Sequence, residues 1–202
     1  MKTKNPVIIF VFSLLLSVLS FLIVANTVCL VSCYFSCKKV LPDNYQVLRI
    51  VFYGFSETAD GSTVSANISI LDRAGQEVVK IERSWPDDFL AADFSCAEFG
   101  ENTYFFPEKI YGTNSVFSRR NIFSKKEGTY LVPYYLENRK CLLGCTPDEK
   151  RNLFKIASFG LNPFSLLLPG LSKLYTINLS GCRPGVFYGI FAENGILSLR
   201  PE

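Results

Sequence analysis

The sequence predicts a mainly β protein, either a β-sandwich-like or a β-rich α+β domain with one short helix at about residues 146–158, behind an N-terminal apolar helix. The first observation is composition: 18 Phe and 10 Tyr accompany one Met and one Trp in 202 residues, and aromatic side chains suit half-buried strands. The second is a set of short alternating apolar runs, and the third is the turn signals between them. Together they predict a single β-rich domain over residues 45–202.

The N-terminal segment is an uncharged apolar run from Val7 to Phe35, preceded by Lys2 and Lys4. As a helix rising about 1.5 Å per residue, this run would be roughly 43 Å long, against about 30 Å for the hydrocarbon core of a bilayer. The end of the run therefore needs an explanation beyond membrane spanning.

Four residues near the end of the run, Leu30-Val31-Ser32-Cys33, resemble the bacterial lipobox, in which an apolar residue and then a small residue precede a cysteine. The resemblance implies that residues 1–32 are a signal peptide, that the thiol of Cys33 receives a lipid, and that residues 33–44 form a tether. Several acyl chains on one end anchor a protein stably. The run is, however, longer than the roughly 7–15 apolar residues of an ordinary signal peptide.

Two alternatives compete with the lipoprotein. An uncleaved signal-anchor helix at about Val7–Val28 would make a single-pass transmembrane protein, and ordinary cleavage near Ala25 would release a soluble exported one. All three export the body if the positively charged start stays inside. We therefore expect an extracytoplasmic body anchored at the cell membrane or outer membrane, with the lipid bilayer as a partner.

The body opens with three predicted strands in a meander. Residues 45–55 and 77–85 are rich in aromatic and β-branched side chains, and residues 63–70 alternate, with an apolar face of Val64, Ala66, Ile68 and Ile70 and an opposite polar face. Asp60-Gly61 predicts the first turn. This pattern predicts a sheet with one buried face and one solvent-exposed face.

Six further runs predict strands, and one segment predicts a helix. The runs are 89–94, 103–106, 129–136, 174–179, 186–191 and 196–199, with turns at Pro184-Gly185 and Asn194-Gly195. The helix has Thr146 as its N-cap, Pro147 at the first helical position and Glu149 three residues after the cap, which is a capping box.

The cysteines beyond the apolar run suit an exported compartment. Cys96, Cys141, Cys145 and Cys182 would make two disulfides by any of three connectivities, or stay as buried free thiols. A four-thiolate zinc site is disfavoured, because it needs two close-set cysteine pairs and residues 141–145 supply one. We predict no metal and no cofactor.

Charge is unevenly placed along the body. Residues 87–101 carry acids without bases, and residues 109–126 carry bases without acids, including Arg119, Arg120, Lys125 and Lys126. The basic loop 118–126 is a candidate contact for an anionic surface or an acidic envelope partner; the alternative is a solvated loop that pairs loosely with the acidic segment. A net charge of +3 is too small to indicate nucleic acid as a partner.

The chain contains no histidine, which excludes Ser-His-Asp and Cys-His catalysis and histidine-containing metal sites. The sequence therefore favours a bacterial lipoprotein anchored through Cys33, with a non-catalytic binding or structural role at the cell envelope. A histidine-free hydrolase that works through a pair of carboxylates is the enzymatic alternative.

Overall fold

The computed structural model describes residues 6–40, 44–58, 61–113, 128–162 and 171–202, and within these ranges the chain forms three helices and eleven strands. The helices are α1 (Pro6–Cys37), α2 (Val132–Tyr135) and α3 (Pro147–Gly160). The strands are β1 (Tyr45–Thr58), β2 (Gly61–Leu71), β3 (Glu77–Trp85), β4 (Leu90–Phe99), β5 (Asn102–Gly112), β6 (Thr129–Tyr130), β7 (Leu136–Glu137), β8 (Lys140–Cys141), β9 (Ser172–Asn178), β10 (Phe187–Glu193) and β11 (Ile196–Pro201). The predicted mainly β class, with an apolar N-terminal helix, is confirmed.

The strands form two antiparallel sheets and one small hairpin. Sheet A has the order β11-β10-β1-β2-β3, sheet B has the order β6-β5-β4-β9, and β7 pairs with β8. The predicted meander of the first three strands is confirmed as β1-β2-β3. After sheet B is built, the chain returns to sheet A, where β10 pairs with β1.

The alternation in β2 determines which face of sheet A is buried. Val64, Ala66, Ile68 and Ile70 are fully buried, as predicted. At the centre of β2 the opposite face is less exposed to solvent than expected, because other side chains cover Asn67 and Ser69. The amide of Asn67 donates to the hydroxyl of Tyr53 at 3.0 Å, and the hydroxyl of Ser69 donates to the carboxylate of Glu77 at 2.6 Å.

Sheet B is covered on both faces. All of β4 is buried except Glu98, which is half-buried, so neither face of this strand is open to solvent. On one side the Tyr45 hydroxyl of β1 donates to the Phe105 carbonyl of β5 at 3.3 Å. On the other side the Ser95 hydroxyl donates to the Gly160 carbonyl at the end of α3, at 3.2 Å. The layers are therefore sheet A, sheet B and α3.

The predicted helix is confirmed as α3, together with its cap. The hydroxyl of Thr146 accepts from the backbone N–H of Glu149 at 3.2 Å, and the Glu149 carboxylate accepts from the N–H of Cys145 at 2.9 Å. The end of the helix lies close to sheet B, because a Cβ added at Gly160 would be in ordinary contact with the Cβ of Ala97, at 3.4 Å.

The prediction of a strand over residues 129–136 is wrong. Only Thr129–Tyr130 pair with β5, and Val132–Tyr135 form the short helix α2. Pro133 lies in the first turn of α2, where its missing N–H costs nothing, whereas a strand would lose a ladder bond there. Tyr135 is buried, and its hydroxyl donates to the Pro107 carbonyl at 2.9 Å.

The predicted turn at Asn194-Gly195 is confirmed between β10 and β11. Both residues have positive φ, 50° and 75°, which is the conformation that a tight two-residue hairpin turn requires and that Asn-Gly adopts readily.

Candidate functional site at the base of the apolar helix

The surroundings of α1 change along its length. From Ile9 to Ala25 every side chain is exposed, whereas from Cys29 onward one side of the helix faces the body. Cys29 is half-buried and Cys33 and Cys37 are buried. These three cysteines recur every four residues, which places them on one helical face. That face packs against the body.

Side chain and backbone bonds fix this end of α1. The Cys33 thiol donates to the carbonyl oxygen of Lys155 on α3 at 3.2 Å. The Tyr104 hydroxyl of β5 bonds the carbonyl of Cys37 at 3.2 Å and also contacts that of Val40. Residues 33–37, which the sequence assigned to a tether, thus form the last turns of α1, and Val40 is buried after them.

The side chain of Cys33 is inaccessible to solvent in the structure. Its exposed fraction is 0%, because α3 covers its side of α1. An acyl chain on this thiol would have to displace α3 or the helix end. Lipidation of Cys33 stays a prediction, and it requires a different arrangement from the one described.

The length of α1 matches a whole bilayer. Among the described residues it is the one helix that is long and apolar enough to cross a membrane, by length and composition. The apolar stretch Ile9–Cys37 has 29 residues, or about 43 Å of helix, and a bilayer with its headgroup regions is about 40–45 Å thick. The residues that overshoot the hydrocarbon core therefore correspond in length to an interfacial layer.

Aromatic and basic residues mark the end of α1. Tyr34 and Phe35 are 51% and 60% exposed, and the Lys38 ammonium lies 4.7 Å from the centre of the Tyr34 ring. Exposed aromatic rings followed by lysine are typical of the boundary between membrane and water.

A polar cleft of about 620 Å³ lies between the end of α1 and the start of α3, lined by Lys39, Val40, Arg73, Thr146, Asp148, Glu149, Arg151, Asn152 and Lys155. Both carboxylates of the cleft form ion pairs with arginine side chains: Glu149 pairs with Arg73, and Asp148 pairs with Arg151. Arg73 comes from the β2–β3 turn, so this pair joins sheet A to α3.

A second groove, of about 200 Å³, lies on the outer face of sheet A. Exposed rings of Tyr53 and Phe187 stand beside Arg49, Lys80 and the covered Asn67. Tyrosine, phenylalanine and arginine side chains are enriched in protein–protein interfaces, so this groove is a candidate binding surface.

The basic loop that contains Arg119, Arg120, Lys125 and Lys126 lies outside the described residues. The described member of the basic segment, Lys109, is buried in β5 directly opposite Asp93 of β4. Its ammonium lies 5.2 Å and 5.3 Å from the rings of Tyr111 and Tyr130. Lys109 therefore belongs to the interior of the body rather than to an exposed anion-binding surface.

All seven cysteines are free thiols in the structure. Of the four disulfide candidates, Cys96, Cys141 and Cys182 are buried on β4, on β8 and after β9, and Cys145 is exposed before α3. Burial raises the pKa of Cys96 and Cys141 to about 12 and that of Cys182 to about 11, so these thiols stay protonated at neutral pH. Pairing among the four stays a prediction.

We expect Cys145 alone to react quickly with a charged maleimide in the native, detergent-solubilised protein, because the reagent needs an accessible thiol. Labelling followed by mass spectrometry should give one fast equivalent per chain, which a Cys145→Ser variant loses, and the buried thiols should label only after unfolding. Two observations together would show that disulfides form instead. The wild-type chain would give no fast equivalent, and its mass would be lower by 2 Da for each disulfide, because each bond removes two hydrogens.

Among the described residues no group of three or more Cys, Asp and Glu side chains is placed to hold a metal ion. Comparisons of the chain with protein-family models, with curated proteins and with solved structures find no match.

Sequence reasoning missed the docking of α1 on α3. The signal was present in the spacing of Cys29, Cys33 and Cys37, which marks one side of a helix. It was hidden because the surrounding residues are apolar on every side, so hydropathy alone shows no preferred face.

Proposed function

We propose that this chain is a single-pass membrane protein whose N-terminal helix stays attached and holds the β-rich body against the bilayer, where the body has a non-catalytic binding or structural role. The observation that supports this proposal is the docked end of α1. Cleavage before Cys33 would remove Cys29 and Leu30, which pack against the body's core. It would also leave only one turn of helix to cover α3.

We propose the extracytoplasmic side for the body. Lysines flank the apolar run at both ends, Lys2 and Lys4 before it and Lys38 and Lys39 after it, so this placement rests on the segment before the run staying in the cytoplasm. The body would then act at the cell envelope, with an envelope protein or an anionic surface as its partner. The aromatic groove on sheet A is the surface that we assign to a protein partner.

The lipoprotein, which the sequence alone favours, is here the second candidate, because Leu30-Val31-Ser32-Cys33 still resembles a lipobox. The two candidates predict different covalent structures for the mature protein. A lipoprotein begins at Cys33 and carries acyl chains, whereas an uncleaved protein keeps α1.

The hydrolase alternative has less support from the described carboxylates. Glu98 pairs with Lys173, Glu149 with Arg73 and Glu202 with Arg49. The partners of these three carboxylates are cations rather than one another, whereas a hydrolase of this kind needs two carboxylates that flank the substrate.

The intact mass of the membrane-extracted protein tests the proposal. We expect an unmodified chain of about 22.7 kDa for the wild type and correspondingly for Cys33→Ala, and both should stay in the membrane pellet after an alkaline wash. A mature chain that begins at Cys33 with added acyl mass, lost in Cys33→Ala, would establish the lipoprotein instead. Release of the wild type by the wash would contradict membrane anchoring altogether.

A further inference from the structure

An apolar groove of about 490 Å³ lies beside α1, where the helix meets the turn between β4 and β5. One wall belongs to α1 and the other to the body. Its lining residues are Leu30, Val31, Tyr34, Phe35, Phe99, Gly100 and Leu171. Unlike the polar cleft near the start of α3, this groove offers hydrocarbon and aromatic surface.

The position of the groove along α1 places it at the edge of a bilayer. A span of about 20 residues crosses the hydrocarbon core, and counted from Ile9 such a span ends near Val28. Leu30 to Phe35 then lie roughly 3–10 Å beyond the core, at 1.5 Å per residue. This is the depth at which amphipathic surfaces contact both acyl chains and headgroups.

The direction of α3 brings the body to the same depth. The start of α3 lies beside Val40, and Lys155 lies beside Cys33, so α3 runs antiparallel to α1, toward the membrane. Four residues after Lys155, the ring of Phe159 packs on that of Phe99 with 5.2 Å between their centres. The edge formed by Phe99, Gly100 and Leu171 therefore lies level with the part of α1 just beyond the hydrocarbon core.

The rim of the groove has the chemistry of a membrane interface. Tyr34 and Phe35 present exposed rings, and Lys38 and Lys39 follow them outward along the chain. Rings of this kind lie at headgroup level, and lysines beyond them reach phosphates.

We infer that phospholipids of the bilayer interface occupy this groove, so that the body contacts the membrane through its β4–β5 edge as well as through α1. The inference rests on the proposed function, because the helix must span the membrane to set the depth. The groove is continuous with the lipid-facing side of α1, on which Val28 and Val31 are exposed. The same lipids that surround the helix therefore reach the groove. This contact would hold the body at a fixed orientation to the membrane plane.

Fluorescence quenching by brominated lipids tests the inference. Single tryptophans are placed in the full chain carrying Trp85→Phe, because the indole N–H of Trp85 has no hydrogen-bond partner to lose. The body probe is Leu171→Trp, just before β9, and Glu101→Trp, at an exposed position in the β4–β5 turn, serves if the first variant folds poorly. Val24→Trp reports on the spanning helix. Phe187→Trp, on the outer face of sheet A, is the matched control.

In phosphatidylcholine vesicles with brominated acyl chains, we expect a loss of about half or more of the emission for the body and helix probes, relative to unbrominated vesicles, and little change for Phe187→Trp. Quenching of Val24→Trp without quenching of either body probe would overturn the lipid-filled groove while leaving the membrane anchor intact. Absence of quenching at Val24→Trp would overturn the anchor and this inference together. Equal quenching at Phe187→Trp would show a general association of the body with vesicles and would also overturn the inference.

Discussion

Replacing Phe94 with alanine is expected to lower the free energy of unfolding of the body by about 3–5 kcal/mol. Phe94 lies in β4 with an exposed fraction of 0%, in a strand that is covered on both faces. Truncation would remove buried apolar surface and leave a cavity, since the sheet and helix layers around the ring cannot fully collapse. A loss of this size is comparable with the whole stability of many single domains.

Urea unfolding of the full chain in detergent micelles measures this loss. The chain has a single tryptophan, Trp85, which is buried in β3, so its emission reports directly on the body. The matched control is Phe187→Ala, which removes the same side chain from a strand position that is 51% exposed. We expect the control to shift stability by no more than about 0.5–1 kcal/mol. Equal losses in the two variants would contradict the described burial of β4.

Replacing Cys33 with aspartate is expected to detach the end of α1 from α3. The thiol is fully buried and bonds a backbone carbonyl, whereas a carboxylate in its place would be a buried charge facing a carbonyl oxygen. An uncompensated buried charge costs several kcal/mol, on the order of 3–5. Separation of the helix end from α3, which exposes the charge to water, is therefore expected to cost less free energy than keeping the charge buried. Residues 38–40, which follow α1 and end at the buried Val40, should then become open to proteases.

Limited proteolysis in micelles, read by mass spectrometry, checks this result. Val28→Asp is the control, because it adds the same charge at an exposed position of α1 outside the apolar groove and so shares an effect on membrane insertion. We expect at least tenfold faster cleavage between α1 and β1 for Cys33→Asp than for Val28→Asp or Cys33→Ala. Similar cleavage of all three would mean that α1 does not depend on contact with α3.

The local features of this protein were predictable because short-range rules produce them. The alternation in β2, the Asn194-Gly195 turn and the capping box at Thr146 each depend on residues within a few positions of one another. The prediction failed at residues 129–136 for a local reason as well, since Pro133 favours the start of a helix over a ladder position. The role of the Cys29, Cys33 and Cys37 face could not be predicted, because its partner α3 lies more than 100 residues away in the sequence.

The amino-acid sequence by itself determined that this chain is mainly β, that it begins with a helix long enough to cross a membrane, and that histidine-dependent chemistry is excluded. These properties depend on composition and periodicity, which are independent of how distant elements meet. Only the tertiary structure decided that Cys33 faces α3, that β4 is buried on both sides, and that an apolar groove lies where α1 meets the β4–β5 turn. These features arise from long-range packing of elements, and hydropathy does not record which apolar surface covers which.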